Sequence, residues 1–215
     1  IPYGMALHGP AENRLFVADG GNNRIVEIGG DDLAFRGALG SKGRAKGQFR
    51  CPSDVCVFGE SLIVADFLND RLQVFSLLRA RADADTVLTT RGARVIGTHG
   101  RTPGRFRQPR SLAEQVGRLL VGECHRVQVL SLPHFAPLQV VPIPNCFAIC
   151  GGLTAFAIAD IEGREAPNTG KLYSFELRQF SGRLPVWPTE PGTRAGLGES
   201  LEEDELMERL TIQCD

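Results

Sequence analysis

The chain has 215 residues, 42% of them apolar, with 24 Lys and Arg against 25 Asp and Glu and a formal net charge of −1. That much apolar material can form one large core, and the near-neutral balance excludes both a nucleic-acid-type polycation and an acidic tail protein. No run of 18 apolar residues occurs, so no segment is expected to span a membrane as a helix.

Four short alternating or apolar runs open the chain: Tyr3 to Leu7, Leu15 to Ala18, Arg24 to Ile28 and Leu33 to Leu39. Their length, their Val, Ile, Leu and Phe content and the Gly, Asn, Asp and Pro between them predict strands. The tetrapeptide Gly29 to Asp32 suits the hairpin between the third and fourth. A glycine-rich segment without an acid follows, Gly40 to Phe49 (GSKGRAKGQF), and then the pattern returns. Cys51 to Val57 parallels the first strand, and Leu62 to Phe75 (LIVADFLNDRLQVF) nearly copies Leu15 to Ile28 (LFVADGGNNRIVEI). After an insert from Ser76 to Arg91, a second glycine-rich segment, Gly97 to Phe106 (GTHGRTPGRF), leads into a third unit with Gln108 to Ala113 and Leu119 to Leu130. The third unit has Glu123 where the others have Asp, and its connection to Arg126 is two residues shorter. A fourth, decayed unit holds Cys146 to Cys150, Phe156 to Asp160 and Lys171 to Phe175, with the insert Ile161 to Gly170 in place of the turn.

Self-similarity at a period of about 50 residues marks a repeat architecture, and four antiparallel strands per unit describe a β-propeller blade. The expected fold is therefore all-β, with four-stranded antiparallel blades over residues 1–182, at about 1–50, 51–107, 108–144 and 145–182. Residues 183–199, with Pro185, Pro188, Pro191, Gly192, Gly196 and Gly198, read as a linker. Residues 200–215 read as an acidic tail, in which Ser200 and Glu203 have the spacing of a capping box for a short helix to Leu210.

Three groups of residues carry candidate chemistry. The turns Asp19, Asn22, Arg24 and Asp66, Asn69, Arg71 come first. Asp and Asn accept local backbone hydrogen bonds, and each Arg can pair with its own Asp or with a neighbouring blade. Because the device recurs in successive units, we read it as scaffold rather than active site. The second group is the inter-unit cations: Lys42, Arg44, Lys46 and Arg50 in one segment, and Arg101, Arg105, Arg107 and Arg110, with His99, in the next. In a meander of four strands, the inter-unit segments and the second-to-third turns lie at the same end of the blade, so the two basic segments are expected to form one face for an anionic partner.

Histidines and cysteines form the third group. His8, His99, His125 and His134 share no spacing. Glu123, Cys124 and His125 are zinc-type ligands, but neighbours on a strand point to opposite faces, so no metal or cofactor is expected. The six cysteines, Cys51, Cys56, Cys124, Cys146, Cys150 and Cys214, contain no C-x-x-C pair and are expected as small buried residues on inner strands. That usage favours a reducing compartment and so a cytoplasmic setting. No phosphate loop, nucleophile elbow or catalytic triad order is present.

The residues Pro52 through Phe75, with their glycine-rich approach, resemble the NHL-repeat family, whose units run G-x-G-x-x-x-G-x-F-x-x-P, an apolar run, and V-A-D-x-x-N-x-R-[IL]-Q-V-F. Asn23 and Asp70 stand where that family usually has histidine. The resemblance implies a propeller that closes with about six blades, so blades or parent-chain domains are expected to be missing, leaving exposed edges and a bare flank. It also implies a non-enzymatic scaffold binding a protein, with RNA as a second candidate, in some relatives as the substrate-recognition part of a ubiquitin ligase. The alternative it implies is a propeller enzyme of the peptide-amidating-lyase or hydrolase type with a metal in the central channel. For that role the first strands offer Tyr3, Asp54, Cys56 and Glu114, but no histidine.

Overall fold

In the computed structural model, residues 2–9, 13–77, 90, 92–143, 146–150, 156–161 and 170–175 are described. Most of the insert between Ser76 and Arg91, most of the insert in the fourth unit, the linker at 183–199, the acidic tail at 200–215 and Cys214 lie outside them. The strands fall on the predicted runs. Blade one comprises β1 (Pro2–His8), β2 (Arg14–Asp19), β3 (Arg24–Gly29) and β4 (Phe35–Leu39), and blade two β5 (Pro52–Phe58), β6 (Ser61–Asp66), β7 (Arg71–Ser76) and β8 (Arg94–Ile96). Blade three comprises β9 (Ser111–Gln115), β10 (Arg118–Gly122), β11 (Arg126–Ser131) and β12 (Pro137–Pro142). The fourth shows β13 (Cys146–Cys150), β14 (Phe156–Ile161) and β15 (Gly170–Phe175). Each sheet is an antiparallel meander in chain order, with four strands in the first three blades and three in the fourth among the described residues.

Two local readings change. Leu33 is not in the fourth strand: it takes a left-handed conformation (φ 53°) in the turn, and β4 begins at Phe35. The turn is longer than Gly29 to Asp32 because the Asp32 carboxylate accepts the N–H of Ala34 at 3.0 Å and the guanidinium of Arg36 at 2.7 Å, folding two more residues into the connection. Nor are the cysteines uniformly buried on inner strands. Cys56 and Cys146 are, but Cys51 and Cys124 are half-buried in connections.

Alternation along the strands sends one face of each blade to the preceding blade and the other to the following one. Among the described residues, three separate cores result. Phe16, Ala18 and Ile25 of blade one meet Leu62, Val64 and Phe75 of blade two. Ile63, Ala65 and Val74 of blade two meet Leu119, Val121 and Leu130 of blade three. Leu120, Val127 and Val129 of blade three meet Cys146 and Ile149 of the fourth. Into the first two cores the inter-blade segments insert Phe49 and Phe106, both fully buried. Gly40 (φ 108°) and Gly97 (φ 74°) make room for them, since a Cβ at either position would fall about 2.5 or 2.3 Å from the ring. The described blades form an arc that leaves the ring open. Among the described residues no helix is long and apolar enough to cross a membrane.

Candidate functional site

Both complete Asp-x-x-Asn-x-Arg turns fold alike. A short 3-10 turn follows the Asp (Gly20–Asn22 and Phe67–Asn69), and Asn23 (φ 56°) and Asp70 (φ 53°) close it in the left-handed region that Asn and Asp tolerate. In blade two the Asp66 carboxylate is fully buried and saturated. One oxygen accepts Asn69 Nδ2 at 2.9 Å, Arg71 Nε at 2.7 Å and Gln73 Nε2 at 3.1 Å, and the other accepts the N–H of Arg50 at 2.8 Å. Arg71 then reaches the preceding inter-blade segment, donating to the carbonyls of Arg44 (2.7 Å), Ala45 (2.9 Å) and Gln48 (2.9 Å). Gln73 donates to the Gln48 carbonyl at 2.7 Å and accepts the N–H of Gly47 at 2.9 Å, while Asn69 donates to the Gly43 carbonyl at 2.9 Å. The turn is thus a clamp on the main chain of the basic segment.

Blade three rebuilds the same clamp from different residues. The Glu123 carboxylate accepts Arg126 Nε at 3.0 Å, Gln128 Nε2 at 2.5 Å and the N–H of Arg107 at 2.7 Å. Arg126 donates to the carbonyls of Arg101 and Arg105, Gln128 donates to the Arg105 carbonyl at 2.7 Å, and Gln128 accepts the N–H of Gly104 at 2.9 Å. The added methylene of Glu carries the carboxylate across the shorter connection. Burial pushes the Glu123 carboxyl up from its ordinary range, against the opposing pull of Arg126. With its carboxylate committed here, and the Cys124 thiol donating to Gln108 at 3.2 Å, the trio at 123–125 is not assembled as a metal site.

Blade one keeps part of the device. Asp19 accepts Asn22 Nδ2 at 2.8 Å and Arg24 Nε at 2.9 Å, and the Asn22 hydrogen bond is the first cause of its lowered pKa. Val26 stands where the other clamps have Gln73 and Gln128, and the Arg24 side chain is 42% exposed against 11% for Arg71 and 15% for Arg126.

The clamps fix where the predicted cations go. Lys42, Arg44, Lys46, Arg101 and Arg105 are exposed, whereas Arg50, Arg107 and Arg110 are half-buried. The main-chain N–H groups of Arg50 and Arg107 serve the clamps, and the Arg110 guanidinium lies over the Phe67 ring at 5.2 Å. His99 pairs with Asp70 at 3.0 Å rather than adding to the cations alone. Beside this pair Arg44, Leu68, Asn69 and Arg71 complete a cleft of about 360 Å³.

Three residue types of this end escape the sequence reading. Gln73 and Gln128 are as much part of the clamps as the arginines, and the Arg-x-Gln spacing common to units two and three is the signal that could have revealed them. Asn23 and Asp70 are more than turn formers, because Asn23 accepts the N–H of Cys51 (3.0 Å) and Asp70 that of Gln108 (2.8 Å), stapling each turn to the start of the next blade.

The channel side is formed by the first strands. Asp54 accepts the N–H of Leu112 at 2.7 Å and that of Val55 at 2.8 Å, and burial raises its pKa to about 6. Burial, with Asp54 and Glu114 nearby, pushes the Cys56 thiol up to about 12, so it is not a nucleophilic thiolate at neutral pH. Glu114 accepts the N–H of Gly117 at 2.9 Å, and Tyr3 is exposed. Among the described residues no three His, Cys, Asp or Glu side chains are grouped to hold a metal ion.

Consecutive antiparallel meanders sharing three inter-sheet cores decide the architecture. The fold is an open β-propeller. Solved structures agree at the level of fold. The computationally designed Ika4 protein is similar at 8% identity and a TM-score of 0.54, covering 83% of this chain and 92% of that one. The hydrazine synthase of Kuenenia stuttgartiensis is similar at 11% identity and 0.54, covering 82% of this chain and 51% of that one. The Neurospora crassa Pan2 WD40 domain, at 13% identity and a TM-score of 0.49, covering 82% of this chain and 49% of that one, is too distant a likeness to bear on the fold. The chain thus spans about half the length of the latter two. No protein-family model and no curated protein matches it by sequence.

Proposed function

We propose that this propeller is a non-enzymatic binding module that docks an acidic protein segment on the end formed by the two inter-blade segments. What supports the reading is the division of labour in those segments. Their carbonyls and N–H groups are taken by Arg71, Gln73, Arg126 and Gln128, while Lys42, Arg44, Lys46 and Arg101 extend exposed side chains. Of the carboxylates at the same end, Asp19, Asp66 and Glu123 already have arginine partners, and Asp70 is engaged by the His99 ring and the N–H of Gln108. An incoming acid therefore meets cations without competing carboxylates. The NHL-like spacing of units one and two fits such a scaffold, and in a larger chain it would serve as a recognition part, the ubiquitin-ligase setting included.

The test titrates the protein with a fluorescent oligoglutamate peptide and, separately, with single-stranded RNA over a salt series. Lys42→Glu with Arg44→Glu and Arg101→Glu should weaken peptide binding about tenfold or more, without lowering the melting temperature, because none of these side chains holds the fold. RNA binding with a log–log salt slope of roughly −3 to −4, as about four to six phosphate contacts would give, moves the reading to nucleic acid. Binding that ignores both salt and charge reversal removes it.

A further inference from the structure

Repetition marks scaffold, so a residue that breaks the repeat without serving a core points to function. The turn of blade two breaks it at one place. Between its Asp and Asn, blade one has Gly20 and Gly21, and the connection in blade three is two residues shorter, whereas blade two has Phe67 and Leu68. Phe67 is accounted for, since the Arg110 guanidinium lies over its ring at 5.2 Å. Leu68 is not. Its side chain joins none of the three cores and is 41% exposed, at an end of the blade where the exposed side chains are mostly cations. Gly21 shows that the same short 3-10 turn closes without any side chain at this position.

A lone exposed leucine means little by itself, and here the surroundings decide. Leu68 lines the cleft of about 360 Å³ together with Arg44, Asn69, Asp70, Arg71 and His99, a volume within the roughly 300–1,000 Å³ of ligand pockets. Both inter-blade segments border it, Arg44 coming from the first and His99 from the second. His99 also departs from the repeat, in which Lys42 holds the same place, and its partner Asp70 stands where blade one has Asn23. Asp70 is the one acid of the lining, and both its oxygens are engaged, one by the His99 ring at 3.0 Å and the other by the N–H of Gln108 at 2.8 Å. Arg71 commits its guanidinium to Asp66 and to the carbonyls of Arg44, Ala45 and Gln48. Arg44, with an exposed side chain, is thus the arginine that can turn to a ligand. The backbone beneath both residues is anchored, because Leu68 donates its N–H to the Arg50 carbonyl at 3.0 Å and the Arg44 carbonyl is held by Arg71 at 2.7 Å. Apolar surface and cation are therefore presented side by side from fixed main chain, which lowers the ordering cost of binding.

We infer that this cleft anchors the docked segment by a bulky aliphatic residue placed beside an acid, the aliphatic side chain packing on Leu68 and the neighbouring carboxylate meeting Arg44. The inference rests on the reading of the basic end as the docking face for an acidic protein segment, and it names the residue that the segment must carry. A segment of acids alone would use Arg44 and leave Leu68 in water, forgoing the gain from covering it. A purely apolar ligand would cover Leu68 and crowd the Arg44 guanidinium without giving it a partner. An aliphatic residue next to an acid satisfies both.

The test compares three fluorescent peptides: oligoglutamate, the same peptide with one central leucine, and the same with a central serine. The last two have equal charge. The leucine peptide should bind about fivefold tighter than the serine peptide, the gain expected from burying roughly half of a leucine side chain. Leu68→Gly, which installs the residue of blade one, should abolish that difference and leave the affinity for oligoglutamate unchanged. Leu68→Met, which keeps the apolar surface, should keep the difference. In methyl spectra the Leu68 resonance, identified by its absence from Leu68→Gly, should shift more with the leucine peptide than with the serine peptide. Equal binding of the leucine and serine peptides would overturn the inference while leaving the docking of acidic segments intact. A leucine preference that survives Leu68→Gly would overturn it too, by moving the apolar contact elsewhere. Binding of none of the three peptides would remove the docking reading itself, and the inference with it.

Discussion

A single methylene separates the clamps of blades two and three. Asp66 lies five residues before Arg71 and Glu123 three before Arg126, yet both carboxylates collect an Arg Nε, a Gln amide and the N–H that leads into the next strand. Glu123→Asp would withdraw the carboxylate from groups that have no water to turn to, and we expect a loss of about 1–3 kcal/mol in urea unfolding. Asp54 differs because its neighbours are N–H donors and apolar surface rather than a cation. A Cβ on Gly4 would come within 1.8 Å of its carboxylate, so only glycine lets the two first strands approach here. Its folded pKa of about 6 exceeds the ordinary 3.8, so folding favours the protonated form. The stability this provides is complete below about pH 3.8 and is lost as pH rises through about 6. For a half-buried group we expect a loss of up to about 2 kcal/mol. Asp54→Asn should remove that part of the pH slope in unfolding measured between pH 4 and 7, on the order of these pKa limits. The raised pKa of Glu123 acts with the same sign, so the difference between the two proteins isolates Asp54.

At the scale of elements, the inter-blade segments are structural members rather than loose connections. Each is fixed at its main chain by the clamp behind it and at its end by a fully buried Phe. Phe49→Ala and Phe106→Ala should each cost about 3–5 kcal/mol, because each ring fills a seam between two rigid sheets that cannot close over a cavity. Thermal unfolding followed by circular dichroism checks this. The strands themselves were legible in the sequence, since alternation and the Gly, Asn and Asp punctuation are local signals. The start of β4 was not, because the Asp32 side chain draws Leu33 and Ala34 into the turn, and an Asp reaching two residues ahead leaves the alternation pattern unchanged.

For the molecule as a whole, repetition gives every blade the same two faces, and stacking turns them into three cores. The same repetition sorts charge by end. Inter-blade cations gather at the end of the second-to-third turns, while the exposed acids Asp31, Asp32 and Glu60 lie in hairpin turns at the other. A net charge of −1 therefore hides a polarity along the described blades.

The sequence by itself determined the blade, its strand order and the end of the sheet on which the cations fall, because each of these follows from periodicity and turn chemistry within about 50 residues. It also supplied the pairing of Asp with Arg across one turn. Only the tertiary structure decided what those pairs hold. Arg71 meets carbonyls more than 20 residues away, Asp70 an N–H 38 residues away and Asp54 an N–H 58 residues away, from blades that approach only when the sheets stack. The same stacking buries Val64 and leaves its counterpart Val17 half-covered, since burial belongs to the neighbour a face finds and not to the residue that forms it.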